Sequence, residues 1–239
     1  MAREFRNFKS FKGKYAVEMK NVFTRYHGEL KPAIIDINFK VEYGDFVLVT
    51  GPNGAGKTTL LETIIGLLKP YRGEVKLLGF NIPKEAYLAR KYCAYLPQDF
   101  MKSADEPFLV KDVIIMGLAS KIISNTIPKE IEKDIDNIMR LLKIEELKEK
   151  PIGKLSGGQQ QKVHLARVLI RKPLLMLLDE PFSSLDRNSR FELSEILTKI
   201  NEEQRVTIIM VSHDLSIIPK GCNRVVEMNN GRIIGERKL

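Results

Sequence analysis

The chain has 239 residues, 44% of them hydrophobic, and 39 basic against 30 acidic side chains give a formal charge of +9. That length buries a substantial core, as one two-lobed domain or two small ones. No solenoid repeat, signal peptide or apolar run long enough to span a bilayer is present, so a cytosolic chain is expected, with any membrane association through a partner. Lys and Arg alternate with Asp and Glu through most of the sequence, so the positive balance reads as solvated surface and nucleic-acid binding as the lesser option. Cys93 and Cys222 are far apart and read as small core or surface residues rather than a disulfide. His27, His164 and His213 are too scattered for a zinc site.

The first fourteen residues form a basic block, Arg3, Arg6, Lys9, Lys12 and Lys14 against the one acid Glu4, with Phe5, Phe8 and Phe11 spaced by three. Three phenylalanines bury little area, so this reads as a loosely docked tail, with an amphipathic contact segment as the other reading. Alternation of apolar and polar residues predicts antiparallel strands over 15–26 and 34–41, with a turn at Arg25-Tyr26-His27-Gly28. Tyr26 could stack on a purine base or be a partly buried turn aromatic, and sequence leaves both open. Phe46 to Thr50 reads as a buried strand and Thr59 to Leu67 as a helix.

Between them lies Gly51-Pro52-Asn53-Gly54-Ala55-Gly56-Lys57-Thr58, a glycine-rich turn joining a strand to a helix N-terminus. Backbone N–H groups of an open loop and the positive end of a helix dipole hold a polyphosphate well. The glycines let the backbone approach closely, Lys57 supplies a compact charge for the β and γ phosphates, and the Thr58 hydroxyl can ligate Mg²⁺.

Strands are expected from Gly73 to Gly79 and from Tyr92 to Leu96, the latter closing at Pro97-Gln98. From Asp99 to Pro107 the sequence is irregular and polar, and Val110 to Ser120 and Pro128 to Leu142 then read as helices. Ile131, Ile135, Ile138 and Leu142 share one face of the second, and Pro128 suits its first turn. Ser156 and Gln159 have the spacing of a capping box at the start of the next helix. Gly157 and Gly158 there cost stability if capping is their whole role, and they leave N–H groups open to an anion. Since the chain already has a phosphate loop, this second surface is expected to serve the nucleotide of another copy.

Leu174 to Leu178 is an apolar run of central-strand composition ending in Asp179-Glu180-Pro181. Two acids at the carboxyl end of a buried strand are expensive without a cationic or catalytic reason. The pair suits Asp179 holding Mg²⁺ through its water shell and Glu180 orienting and deprotonating an attacking water. Asp186 is read as the N-cap of a helix carrying Leu193, Ile196, Leu197 and Ile200 on one stripe. His213 follows the Val206 to Val211 strand and is placed to meet the γ-phosphate or the attacking water, with a structural histidine as the alternative. Asn229-Asn230-Gly231 signals a hairpin.

In this order, the phosphate loop, Gln98, Leu155-Ser156-Gly157-Gly158-Gln159, Leu174 to Glu180, Ser184-Leu185-Asp186 and His213 give the chain a family likeness along nearly its whole length. The sequence resembles the nucleotide-binding subunit of ATP-binding cassette (ABC) transporters. The resemblance implies an α/β fold: a P-loop NTPase, RecA-like core with an antiparallel β subdomain (15–98 and 155–239) and an inserted α-helical subdomain (99–154), after a basic tail (1–14).

It also implies a head-to-tail, ATP-dependent homodimer sandwiching two Mg-ATP molecules, each between the phosphate loop of one copy and the Ser156 signature of the other. Gly51 to Thr59 would hold the phosphates, Tyr26 would stack on adenine, and Gln98 would bind Mg²⁺ and sense the membrane subunits. Glu180 would be the base, His213 the γ-phosphate contact, and Asp186 a link across the dimer. Leu109 to Ser120 would dock onto integral membrane permease subunits at the cytoplasmic face of the cell membrane. An extracytoplasmic substrate-binding protein is expected if the direction is import.

Ala94 to Gln98, Asp105 to Val113 and Met116-Gly117 are similar to the corresponding segment of zinc, manganese and metal-chelate importers. In those, an aromatic more often stands before the proline, whereas Phe108 follows Pro107 here. The alternative is a soluble cassette ATPase of translation, DNA repair or iron-sulfur assembly. Translation factors of the family usually carry two cassettes in one chain. Repair ATPases separate loop and signature by long coiled coils, for which the stretch from Lys57 to Ser156 has no room.

Overall fold

The computed structural model describes residues 13–98, 107–118 and 128–239. Phe5, Phe8 and Phe11, the irregular stretch through Glu106, and Ser120 lie outside the described residues. Ten strands and six α-helices are formed among the described residues: β1 (Tyr15–Thr24), β2 (Ile34–Glu42), β3 (Phe46–Thr50), α1 (Lys57–Ile65), β4 (Arg72–Leu77), β5 (Phe80–Ile82), α2 (Ala86–Ala89), β6 (Cys93–Leu96), α3 (Val110–Met116), α4 (Lys129–Leu141), α5 (Gly157–Leu169), β7 (Leu175–Asp179), α6 (Arg187–Gln204), β8 (Thr207–Val211), β9 (Arg224–Asn229) and β10 (Arg232–Lys238).

The strands divide between two sheets. Six form the order β10-β9-β3-β8-β7-β6, and β9, β3, β8, β7 and β6 pair in parallel while β10 closes an antiparallel edge. The other four form an antiparallel sheet of order β2-β1-β4-β5. Every residue of β3, β7 and β8 is buried, as expected of parallel strands covered on both faces. The side-chain alternation of a strand then feeds two cores. Phe46, Leu48, Met176, Leu178, Ile208 and Met210 point into one, shared with α3, α4, α5 and α6. Val47, Val49, Leu175, Leu177, Ile209 and Val211 point into the other, shared with α1 and the antiparallel sheet.

Several expected boundaries move. The helix after the phosphate loop starts at Lys57, not Thr59, because the Leu60 N–H already donates to the Gly56 carbonyl (2.9 Å) and Gly56 caps it in a left-handed conformation. It ends at Gly66, also left-handed. The strand expected to reach Gly79 stops at Leu77, since Leu78 (φ 51°) and Gly79 (φ 82°) form a two-residue turn into β5, which was not foreseen. Pro128 sits at the N-cap of α4 rather than inside it.

In α4, Ile135, Met139 and the following Leu142 are buried. The capping box foreseen at Ser156 is formed at both ends: Gln159 N donates to Ser156 Oγ (3.3 Å) and Ser156 N to Gln159 Oε1 (3.0 Å). Asp186 caps α6, accepting from Ser189 N (3.0 Å) and from the Ser189 hydroxyl (2.7 Å). Among the described residues no helix is long and apolar enough to cross a membrane.

Candidate active site

Strand β3 delivers the chain to Gly51 and α1 carries it away from Lys57, so the glycine loop sits at the carboxyl end of the parallel sheet. Ligands collect there in open α/β folds. The Lys57 ammonium donates to the Gly51 carbonyl (2.9 Å) and the Pro52 carbonyl (3.0 Å), curling the loop around a cation that is 7% exposed. Asn53, Gly54, Gly56, Lys57, Thr58 and Thr59 line a cavity of about 590 Å³, together with Tyr26, Gln98, Asp179 and Glu180. Of the nucleotide residues expected from sequence, Gly51, Pro52 and Ala55 form the loop without lining the cavity.

Four lining residues escaped sequence reading: Pro32, Ala33, Asn230 and Gly231. The β9–β10 turn packs against the loop, the Gly231 N–H donating to the Ala55 carbonyl (3.1 Å) and the Ile35 N–H to the Gly231 carbonyl (2.7 Å). The Asn-Gly hairpin signal was visible in the sequence, but nothing local said that its tip reaches the start of the chain. Tyr26 stands at the cavity, 37% exposed, with its hydroxyl 3.0 Å from Thr59 Oγ1 and donating to Glu62 Oε2 (3.1 Å). It is therefore both an anchored turn aromatic and a cavity wall.

Asp179 ends β7 fully buried, and among the described residues neither carboxylate oxygen makes a well-formed hydrogen bond. Burial pushes its carboxyl up to about 6; the Thr58 hydroxyl and, more weakly, Lys57 oppose that rise, and the neighbouring Glu180 adds to it. A buried carboxylate with no well-formed hydrogen bond among the described residues, lining one cavity with the Thr58 hydroxyl and the Gln98 amide, is an oxygen donor set that fits Mg²⁺, which is typically held by one or two carboxylates plus phosphates. The folded protein binds this proton more tightly than the unfolded chain, so this group's contribution to the stability of the nucleotide-free protein falls as pH rises from about 4 to about 6. Asp179→Asn is expected to stabilise it by up to about 3 kcal/mol at pH 7.5 and by little at pH 4, read by urea unfolding at both values.

Glu180 is 6% exposed and adopts φ 49°. A left-handed non-glycine residue costs about 1–3 kcal/mol, so its surroundings must hold it there. Its N–H donates to the Val211 carbonyl (3.0 Å), its carbonyl accepts from Ser183 N (3.1 Å), and its Oε1 accepts from His213 N (3.0 Å). His213 Nδ1 lies 2.8 Å from the same oxygen, so a ring protonated at Nδ1 donates to it and leaves Nε2 for another partner. His213 does not line the cavity itself; it braces Glu180, which does.

The Ser156 to Gln159 signature and Asp186 lie apart from this cavity. Ser156 and Gly157 are exposed, and Gly157 and Gly158 face the Ser184-Leu185 loop: a Cβ on Gly158 would sit 3.3 Å from the Ser184 carbonyl oxygen. The helix N-terminus at Ser156 therefore aims outward rather than at the chain's own phosphate loop.

A strand, a glycine loop with an inward lysine, and an acid pair at the end of a second parallel strand of the same sheet, with one strand between them, define a P-loop nucleoside triphosphatase. The family profile for ABC transporters matches residues 34–183, and the chain belongs to that family. It is similar to the zinc uptake system ATP-binding protein ZurA of Listeria monocytogenes, at 33% identity over 92% of this chain and 85% of that one. It is also similar to the zinc import ATP-binding protein ZnuC of Rickettsia conorii, at 36% identity over 89% of this chain and 82% of the relative. The spermidine/putrescine import ATP-binding protein PotA of Mycoplasma capricolum is 35% identical over 91% of this chain and 60% of its own length.

Among solved structures, the dimeric bacterial ABC transporter cassette MJ0796 superposes with a TM-score of 0.84 at 27% identity, covering 93% of this chain and 98% of that one. The same cassette is known in a post-hydrolysis state bound to ADP and Pi, which superposes at 0.81 with 28% identity over 93% of this chain and 98% of that one. The chain is thus an ABC transporter ATPase subunit, an ATP hydrolase with the α/β cassette fold that the sequence resemblance implied.

Proposed function

We propose that the chain hydrolyses Mg-ATP at the interface of a head-to-tail homodimer and thereby drives a divalent metal, zinc or manganese, through separate membrane permease subunits. One observation carries the dimer reading. The cavity around Lys57 draws on Tyr26, Gln98, Asp179 and Glu180, while Ser156-Gly157-Gly158-Gln159 presents a capped, glycine-opened helix N-terminus to the outside. An anion-seeking surface that forms no part of the lining of its own chain's Lys57 cavity is explained by the nucleotide of a second copy.

Within this reading the loop from Gly51 to Thr59 cradles the phosphates and Lys57 neutralises them. Tyr26 stacks on the adenine. Thr58, Gln98 and Asp179 would hold Mg²⁺, which supplies charge neutralisation to the phosphoryl group. Glu180 accepts the proton of the attacking water, His213 holds Glu180 in place and offers Nε2 to the γ-phosphate, and Asp186 links the two copies. ATP then lies between two half-sites, so binding favours closure and hydrolysis favours opening.

The segment Leu109 to Ser120 is the proposed seat of the permease, at the cytoplasmic face of the membrane, and an extracytoplasmic binding protein would complete an importer. The metal cargo rests on the Ala94 to Gln98 segment and on the names of ZurA and ZnuC; PotA makes a polyamine the competing cargo. Cells lacking this chain are expected to lose high-affinity zinc or manganese accumulation and to keep spermidine accumulation, and the reverse pattern refutes the metal assignment. Tagged Glu180→Gln protein held with Mg-ATP is expected to co-purify a polytopic membrane protein. Recovery of ribosomes, nucleic acid or soluble scaffolds instead would leave the ATPase and remove the transporter.

A further inference from the structure

Arg190, in the first turn of α6, makes two bonds that point in different directions. Its Nε donates to the Leu185 carbonyl (2.9 Å) and its Nη1 pairs with Asp214 Oδ2 (2.6 Å). The first oxygen belongs to the Ser184-Leu185-Asp186 loop that packs against Gly157 and Gly158 of the signature. The second belongs to the residue after His213. Asp214 is itself fixed, its Oδ1 accepting from Ser216 N (2.8 Å) and its N–H donating to Ser212 Oγ (3.1 Å). One guanidinium thus joins the two loops, and from Asp214 the chain of contacts runs through His213 to Glu180 Oε1.

We infer that Arg190 is a positioning residue for hydrolysis: by tying the Leu185 loop to the His213 turn, it sets where the Glu180 carboxylate stands and makes that setting depend on the loop beside the signature. A planar fork suits this task because it holds two acceptors in a fixed relation, which a flexible ammonium does not. Loss of the tie leaves the phosphate loop untouched but frees the His213 turn, and small misplacements of a reacting group are felt strongly in the rate. The inference rests on the proposed role of Glu180 as base.

The test is the ATPase kinetics of Arg190→Met, which keeps the stem and removes the fork, in the parent and in a His213→Ala background. In the parent, kcat is expected to fall about 10- to 100-fold with the KM for ATP nearly unchanged. In the His213→Ala background the same substitution is expected to cost clearly less than in the parent, because the Nδ1 contact to Glu180 is already gone and only the backbone N–H of position 213 still ties the turn to it. Arg190→Lys, able to pair with Asp214 but not to hold both acceptors, is expected to fall between. Parental kcat in Arg190→Met, or an equal loss in both backgrounds, overturns the inference. If Arg190→Met does not fold, Asp214→Asn removes the ion pair without changing volume and carries the same expectations. Failure of the underlying reading is separately visible: Glu180→Gln with parental turnover removes the base assignment whatever Arg190 does.

Discussion

Glu180→Gln is expected to bind ATP as tightly as the parent while turning it over about 10² to 10⁴ times more slowly, the scale of a general base. In barrier terms this is about 3 to 5 kcal/mol. The amide keeps the shape of the side chain and an oxygen for the His213 N–H, so the left-handed backbone at φ 49° retains part of its support. It cannot accept the proton of water. Filter binding of labelled ATP beside steady-state turnover separates the two properties. Equal turnover in variant and parent means that Glu180 is not the base, and lost binding means that it holds the loop rather than the water.

Gly51→Ala has the largest expected effect on the fold of the site. Gly51 has φ 145°, and a Cβ there would meet the Met228 carbonyl oxygen at 2.0 Å. That oxygen is backbone of β9, the strand paired with β3, so it cannot turn aside as a side chain could. Strain at the special backbone angle and forced displacement of β9 together should cost about 3 kcal/mol or more. For a chain of this size that corresponds to a fall of about 6 to 12 °C in Tm. Nucleotide binding is expected to be lost as well, because the Gly51 carbonyl also anchors Lys57 (2.9 Å). Scanning calorimetry with and without Mg-ATP reads both effects; a parental Tm with normal binding shows that the loop tolerates the methyl and that its geometry is not what holds the site.

Local chemistry made much of this molecule legible in its sequence. The apolar β-branched runs around Val47 and Ile209 read as buried strands because parallel strands must be apolar on both faces. Ser156 and Asp186 read as caps because a side-chain oxygen at that spacing satisfies an orphan N–H group. What stayed hidden depended on distant partners or on unusual backbone. Ala33 and Gly231 enter the cavity through contacts between the two ends of the chain. The three-residue β5 is too short to show periodicity, and its turn uses Leu78 at φ 51°, a residue that carries no turn signal. The bracing of Glu180 by His213 was likewise beyond sequence, which placed both at strand ends without fixing their 2.8 Å contact.

The central claim is that the ATP site is completed by the Ser156 loop of a second copy, and the mass of Glu180→Gln protein in solution tests it most directly. Without nucleotide the mass of one 27.3 kDa chain is expected by sedimentation, and with Mg-ATP twice that mass. Adding Ser156→Arg should return the mass to one chain while ATP stays bound. A single-chain mass for Glu180→Gln with ATP bound, or a doubled mass that survives Ser156→Arg, contradicts it.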